Sequence, residues 1–183
     1  MTKAWMLACA ATLALTACDT AKDGAAPTSE KAAEAAGDKT LATGLGDNAK
    51  FAAAIKAAGL EGALAGPTPY TLLVPSDAAF DKLPAGAVDT LMKPEGRKQL
   101  TAVLTTHILP GTMLAADIGK AIDAGGGKTR IATLGGGTLT ATRSGTSIVI
   151  ADDAGSKATV TEADSARSNG VIHQIDAVLM PTT

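Results

Sequence analysis

The chain has 183 residues and a formal charge of −2, with 46% hydrophobic but only 2% aromatic side chains. That length suits one domain with a real core plus extensions. The weak, scattered charge gives no footprint for nucleic acid, and Trp5, Phe51, Tyr70 and Phe80 leave few rings to stack on bases or sugars. The core must come from Ala, Leu, Ile and Val, each burying little area.

The chain opens with Lys3, an apolar run from Ala4 to Ala14, and Leu15-Thr16-Ala17-Cys18. The run is shorter than the roughly 20 apolar residues that span a bilayer, so it reads as a targeting segment. It resembles a bacterial lipoprotein signal, whose lipobox ends at the Cys that becomes lipidated. The resemblance implies a signal peptide over residues 1–17 and a lipid anchor on Cys18. The protein would then sit on a membrane of the cell envelope, its domain facing the periplasm or the exterior. Small side chains at Thr16 and Ala17 admit a peptidase, and the thiol is the alkylated nucleophile. The rival reading is an ordinary secretory signal with an incidental Cys. Each buried acyl methylene contributes about 0.8 kcal/mol, so two or three chains hold stably. Cys9 would leave with the signal, and the mature chain would then have no pair for a disulfide.

Residues 18–39 are rich in Ala, Lys, Glu, Asp, Thr and Ser, with hardly any large apolar side chain. They cannot bury enough surface to offset their ordering entropy and read as a flexible tether, with a frayed helix over Glu30 to Ala36 as the rival. A single domain occupies residues 40–183. Asp47 can cap a helix running to Ala58, with Phe51, Ala54, Ile55 and Ala58 on one face and Gly59 as its stop. Leu60 to Leu64 can add a short turn of helix. Gly66-Pro67-Thr68-Pro69 breaks the chain before a strand from Tyr70 to Val74. Ser76 or Asp77 can cap a short helix carrying Phe80. Ala87 to Met92, Glu95 to Thr105 and Ala115 to Ala124 read as helices, with His107 to Pro110 extended between the last two.

After Gly125-Gly126-Gly127 the character changes to short strands: Thr129–Leu134, Thr138–Arg143, Ser147–Ala151, Ala158–Glu162 and Val171–Leu179. Glycine-rich turns separate them, so a helical half leads into an antiparallel meander. In the last strand Val171, His173, Ile175 and Ala177 share one face, and Asn169-Gly170 opens it as a turn.

Three segments carry a family resemblance. Tyr70-Thr71-Leu72-Leu73-Val74-Pro75-Ser76-Asp77-Ala78-Ala79-Phe80-Asp81-Lys82-Leu83-Pro84 is similar to the opening motif of fasciclin-like (FAS1) domains. Thr106-His107-Ile108-Leu109-Pro110-Gly111 resembles the family's Tyr-His-x-x-Pro-Gly element, and the run Asn169-Gly170-Val171-Ile172-His173-Gln174-Ile175-Asp176-Ala177-Val178-Leu179-Met180-Pro181 resembles its closing motif. The resemblance implies an α+β fold, a FAS1-type β-wedge or sandwich with helices packed along it. It marks Asp77, Phe80, His107, Asn169, Gly170 and His173 as structural motif residues. It also implies a non-catalytic role in adhesion, or in contact with a protein or polysaccharide of envelope or matrix. Animal members carry a cell-binding Asp-Ile pair before the closing motif; Asp164 matches and Ser165 replaces the Ile. Thr106 replaces the Tyr of the middle element, so a buried aromatic contact must be filled otherwise.

The residues offer no assembled catalytic, metal or cofactor site. A lone His among apolar neighbours is more often a core histidine than a ligand, and neither His-x-x-His nor paired Cys occurs. Asp152-Asp153 reads as a solvated hairpin tip. A triad of Ser76 or Ser165, His107 and Asp77 lacks a nucleophile elbow; Ser76 is better explained as a helix cap, and Asp77 is expected to cap the helix beginning at Ala78. The alternative to an adhesion module is a small-ligand-binding or hydrolytic protein using a cleft near His107 or His173.

Overall fold

A computed structural model describes residues 39–46, 48–84 and 86–181. The signal segment, Cys18, the tether up to residue 38 and the expected cap Asp47 lie outside the described residues.

The first half of the domain is helical. Helix α1 (Ala49–Ala58) buries Phe51, Ala54 and Ile55 and stops at Gly59, whose left-handed φ of 76° frees its N–H to bond the last turn. Asn48 is its N-cap but makes no side-chain cap bond. A short α2 (Glu61–Ala65) buries Leu64 and leads to strand β1 (Tyr70–Pro75). Helices α3 (Asp77–Asp81) and α4 (Ala87–Met92) follow. The expected Glu95–Thr105 helix is split. Pro94–Gly96 forms a 3₁₀ turn and α5 runs Arg97–Thr106, with Leu100, Val103 and Leu104 buried. Strand β2 (Ile108–Pro110) and helix α6 (Ala115–Ala124) complete this half.

The strands that follow are β3 (Lys128–Ala132), β4 (Thr138–Ser144), β5 (Ser147–Ala151), β6 (Lys157–Arg167) and β7 (Gly170–Ile175). All seven form one sheet in the order β2-β1-β7-β6-β5-β4-β3. Neighbours are antiparallel except for β1 and β7, which run parallel in a register that sets Leu73 beside His173. The sheet nearly closes: the Leu134 N–H beyond β3 bonds the Ile108 carbonyl of β2 at 2.8 Å. The fold is α+β, a wedge of sheet with helices along it.

Several strand boundaries fall a residue from the sequence expectation, and three strand ends depart from it further. Strand β6 runs on to Arg167, because a bulged continuation through Glu162 and Ser165 keeps pairing with β7. Strand β7 ends at Ile175 rather than Leu179. There the Asp176 carboxylate accepts the Thr159 N–H at 2.6 Å and turns the chain. Strand β3 stops at Ala132, and Thr133 and Leu134 enter a glycine turn.

The parallel pair is buried on both faces, as parallel strands commonly are. One core packs Leu72, Val74 and Ile172 with Phe51, Ile55, Leu100 and Leu104 of the helices. The other packs Leu73 and Ile175 with Ile118 and Ile122 of α6 and with Ile131, Leu139 and Ile150 of the meander.

Candidate functional site

The motif residues converge on the parallel pair and its flanks. His107, the C-cap of α5, is fully buried. Its Nδ1 lies 2.8 Å from the Val103 carbonyl and so carries the proton, while Nε2 accepts the Leu179 N–H at 3.1 Å. Only the neutral ring fits these partners. Burial lowers its pKa from 6.5 to about 4, against the opposing pull of the Val103 carbonyl and the Asp152 charge. Phe51 meets the ring edge-on, with centroids 6.1 Å apart.

His173 repeats the arrangement with its nitrogens exchanged. Nε2–H donates to the Met113 carbonyl at 2.8 Å, and Nδ1 accepts the Asp164 N–H at 3.1 Å. Burial lowers its pKa too, opposed by the Met113 carbonyl and the Asp164 charge. Every nitrogen of both rings is thus committed to backbone. The triad of Ser76 or Ser165, His107 and Asp77 is not assembled: His107 has no nitrogen free for a serine, and Ser76 Oγ accepts from Ala79 N at 3.3 Å.

The polar motif residues act as staples. Asn169 Oδ1 accepts the Leu41 N–H at 2.7 Å, and its Nδ2 donates to the Leu64 and Gly66 carbonyls, each at 2.7 Å. At Gly170 a Cβ would stand 2.0 Å from the Tyr70 carbonyl oxygen, so only glycine lets β7 approach β1 here. Asp77 departs from expectation. Ser76 caps α3, whereas the Asp77 carboxylate reaches across and accepts the Lys50 N–H of α1 at 3.1 Å. It fills the role for which Asn48 makes no side-chain bond. Lys50 also donates through Nζ to Asp81 and to the Asp77 carbonyl. Phe80 is half-buried and packs against both Val103 and the α1 core.

Asp164 sits in the β6 bulge at φ 60°, the one non-glycine residue with positive φ among the described residues. Its carboxylate accepts the Ala115 N–H at the start of α6 at 2.8 Å. That short polar side chain tolerates the left-handed conformation. The residue matched to a cell-binding pair thus also fixes a helix, with its side chain partly exposed. Asp152 also departs from expectation. It is 8% exposed rather than solvated. Its oxygens accept the Ser156 and Met180 N–H groups, each at 2.8 Å, while Asp153 beside it is exposed.

Thr106 does not refill the aromatic contact expected at its position. Its hydroxyl bonds back to the Ala102 carbonyl at 2.9 Å. Its side chain lines an open cleft of about 270 Å³ with Gly135, Gly137, Thr138 and Asp152. On the other side of α5, Phe51, Phe80, Leu83, Leu91, Val103 and His107 surround an apolar void of about 20 Å³. That is room for about one water-sized sphere with nothing polar to hold it. Among the described residues no group of three or more His, Cys, Asp or Glu could hold a metal ion, and no helix is long and apolar enough to cross a membrane.

The fold and its staples define a compact α+β module whose motif residues build the frame. The chain belongs to the Fasciclin domain family, whose profile matches residues 46–181. It is 37% identical to Protein sll1483 of Synechocystis over 80% of this chain and 71% of that one. It is 38% identical to pig Transforming growth factor-beta-induced protein ig-h3 over 70% of this chain but only 17% of that protein. Immunogenic protein MPB70 of Mycobacterium bovis matches at 31% identity, over 61% of this chain and 50% of its own. Among solved structures, a FAS1 domain pair from the insect cell adhesion molecule Fasciclin I superposes with a TM-score of 0.58. At 22% identity, over 72% of this chain and 44% of that one, the likeness is one of fold.

Proposed function

We propose that this protein is a non-catalytic interaction module of the cell envelope, held on a membrane through Cys18 and binding a protein or polysaccharide component. The observation that carries the reading is the commitment of both histidines to backbone partners. The residues most suggestive of chemistry are spent on holding the frame, which leaves function to the surface. The names of relatives support the adhesive part: one structural neighbour is called a cell adhesion molecule. The leader ending at Cys18 supports the address.

Two measurements test it. Cells fed an alkyne-tagged fatty acid should label the wild-type protein, and Cys18→Ser should abolish both the label and sedimentation with membranes. An unlabelled wild type would remove the anchor. In-cell crosslinking should join the domain to a specific envelope component. Substrate turnover lost in a folded His107 or His173 variant would replace the module with an enzyme.

A further inference from the structure

We propose that the outer face of the β3–β6 meander binds an anionic polysaccharide, a linear glycan bearing carboxylate or sulfate groups. This deepens the interaction-module reading and rests on it. Strand pairing sets two rows across this face. Arg130 pairs with Thr140, Thr140 with Ala151, and Ala151 with Lys157; beside them run Lys128, Thr142, Val149 and Thr159. Alternation turns Ile131, Leu139, Ala141, Ile150 and Ala158 inward, and the two rows outward. Lys128, Arg130 and Lys157 are exposed, and the threonines, Val149 and Ala151 between them half-buried.

Three features of that face select the ligand. From β3 to Thr161 of β6 the four strands contain no Asp or Glu, although the chain as a whole is acidic. The carboxylates that flank the rows are Asp152 and Asp153 after β5, Glu162 after Thr161 and Asp176 after β7; those of Asp152 and Asp176 are taken up by backbone, accepting the Ser156 and Met180 N–H groups and the Thr159 N–H. Arg143, the one other base between β3 and Thr161, is occupied on the other side, bonding Asp123 of α6 at 3.1 Å. Cations therefore stand at both ends of a shallow lane of small side chains. Arg130 and Lys157 are three strand spacings apart, about 14 Å, so a chain lying across the strands can meet both. The lane offers the hydroxyls of Thr140 and Thr159, that of Thr142 being turned onto the Val149 carbonyl at 3.4 Å, and suits a ligand rich in hydroxyls and acids. It offers no large apolar anchor, the feature on which a protein partner would depend. Three cations, worth about 1 kcal/mol each at an anionic lipid surface, are few for holding a membrane. A polymer that repeats its charges can engage all three.

Titration of the purified protein with polygalacturonate and with dextran sulfate tests the assignment, with neutral dextran, poly-glutamate and phosphatidylglycerol vesicles as comparisons. At least one anionic glycan should bind, about tenfold or more weaker at 200 mM than at 50 mM salt as counterion release is lost. Arg130→Glu with Lys157→Glu should weaken binding by at least about tenfold, while Lys98→Glu on α5 should leave it unchanged. Unchanged melting curves would confirm that these exposed changes spare the fold. The assignment is overturned by absent glycan binding, equal binding of neutral dextran, preference for poly-glutamate or vesicles, or an undiminished double variant. None of those results bears on whether Cys18 is acylated or on the partner crosslinked in cells, so the broader reading stands or falls separately.

Discussion

His107 turns a buried hydrogen-bond pattern into a pH dependence. Its folded pKa is about 4, below the ordinary 6.5, so between these values the unfolded chain binds a proton that the native ring refuses. Stability from this group is complete above pH 6.5 and is lost as pH falls toward 4, by about 3 kcal/mol in all. His173 is shifted the same way and adds to the loss. The urea midpoint should therefore be lower at pH 5 than at pH 7.5, and His107→Asn should flatten the slope; equal wild-type midpoints would contradict the buried neutral rings. Asn169 gives a second test at this scale. Asn169→Ala strips partners from the Leu41 N–H and from the Leu64 and Gly66 carbonyls. Buried groups left unsatisfied cost about 1–3 kcal/mol each, so a loss below about 1 kcal/mol in chemical denaturation would mean water replaces the side chain. Burial of the histidines was legible in the sequence, because each stands in line with Val, Ile or Leu. Which backbone groups satisfy them was not, since Leu179 and Met113 are distant in the chain from the rings they hold.

Between elements, carboxylates do the joining. Asp77 and Asp164 each cap a helix other than the one they belong to or precede, α1 and α6 respectively. A cap is readable from sequence only when it lies within a few residues of its helix. Asp77 is 27 positions from Lys50 and Asp164 is 49 from Ala115, so neither role could be read locally. Asp77→Ala should still cost about 1 kcal/mol, but the loss should fall on α1. Hydrogen exchange at the Lys50 amide should quicken while the Ala79 amide, capped by Ser76, keeps its protection; the reverse pattern would restore the local cap. At Asp164, Asn keeps both an acceptor oxygen and tolerance of φ 60°, whereas Ala keeps neither. Asp164→Ala should therefore destabilise more than Asp164→Asn in thermal melts, and equal losses would show that neither backbone strain nor the cap matters there. Most strands of the meander were visible from their alternation and glycine turns. The far half of β6 was not, because Glu162 to Arg167 is polar and owes its extended form to β7 rather than to its own composition.

For the whole molecule, the decisive feature is the parallel join of β1 to β7, strands about a hundred residues apart. Alternation along a strand reveals its faces but not the direction of its neighbour, so this pairing could not be deduced from pattern. It makes two hydrophobic cores interdependent. Leu72 and Ile172 point into the helical core, while Leu73 and Ile175 point into the meander core, from the same two strands. Neither core can lose β1 or β7 without exposing the other, so the domain should unfold as one unit. Leu72→Ala and Leu73→Ala remove fully buried side chains on opposite faces, and each should cost about 2–5 kcal/mol. Methyl NMR signals from Ile55 in the helical core and Ile150 in the meander core should lose native structure at one urea concentration in each variant, together with the far-UV circular dichroism that reports both halves. Separate midpoints for the two methyls would show that the cores can part, and that β1 and β7 do not bind them into one cooperative unit.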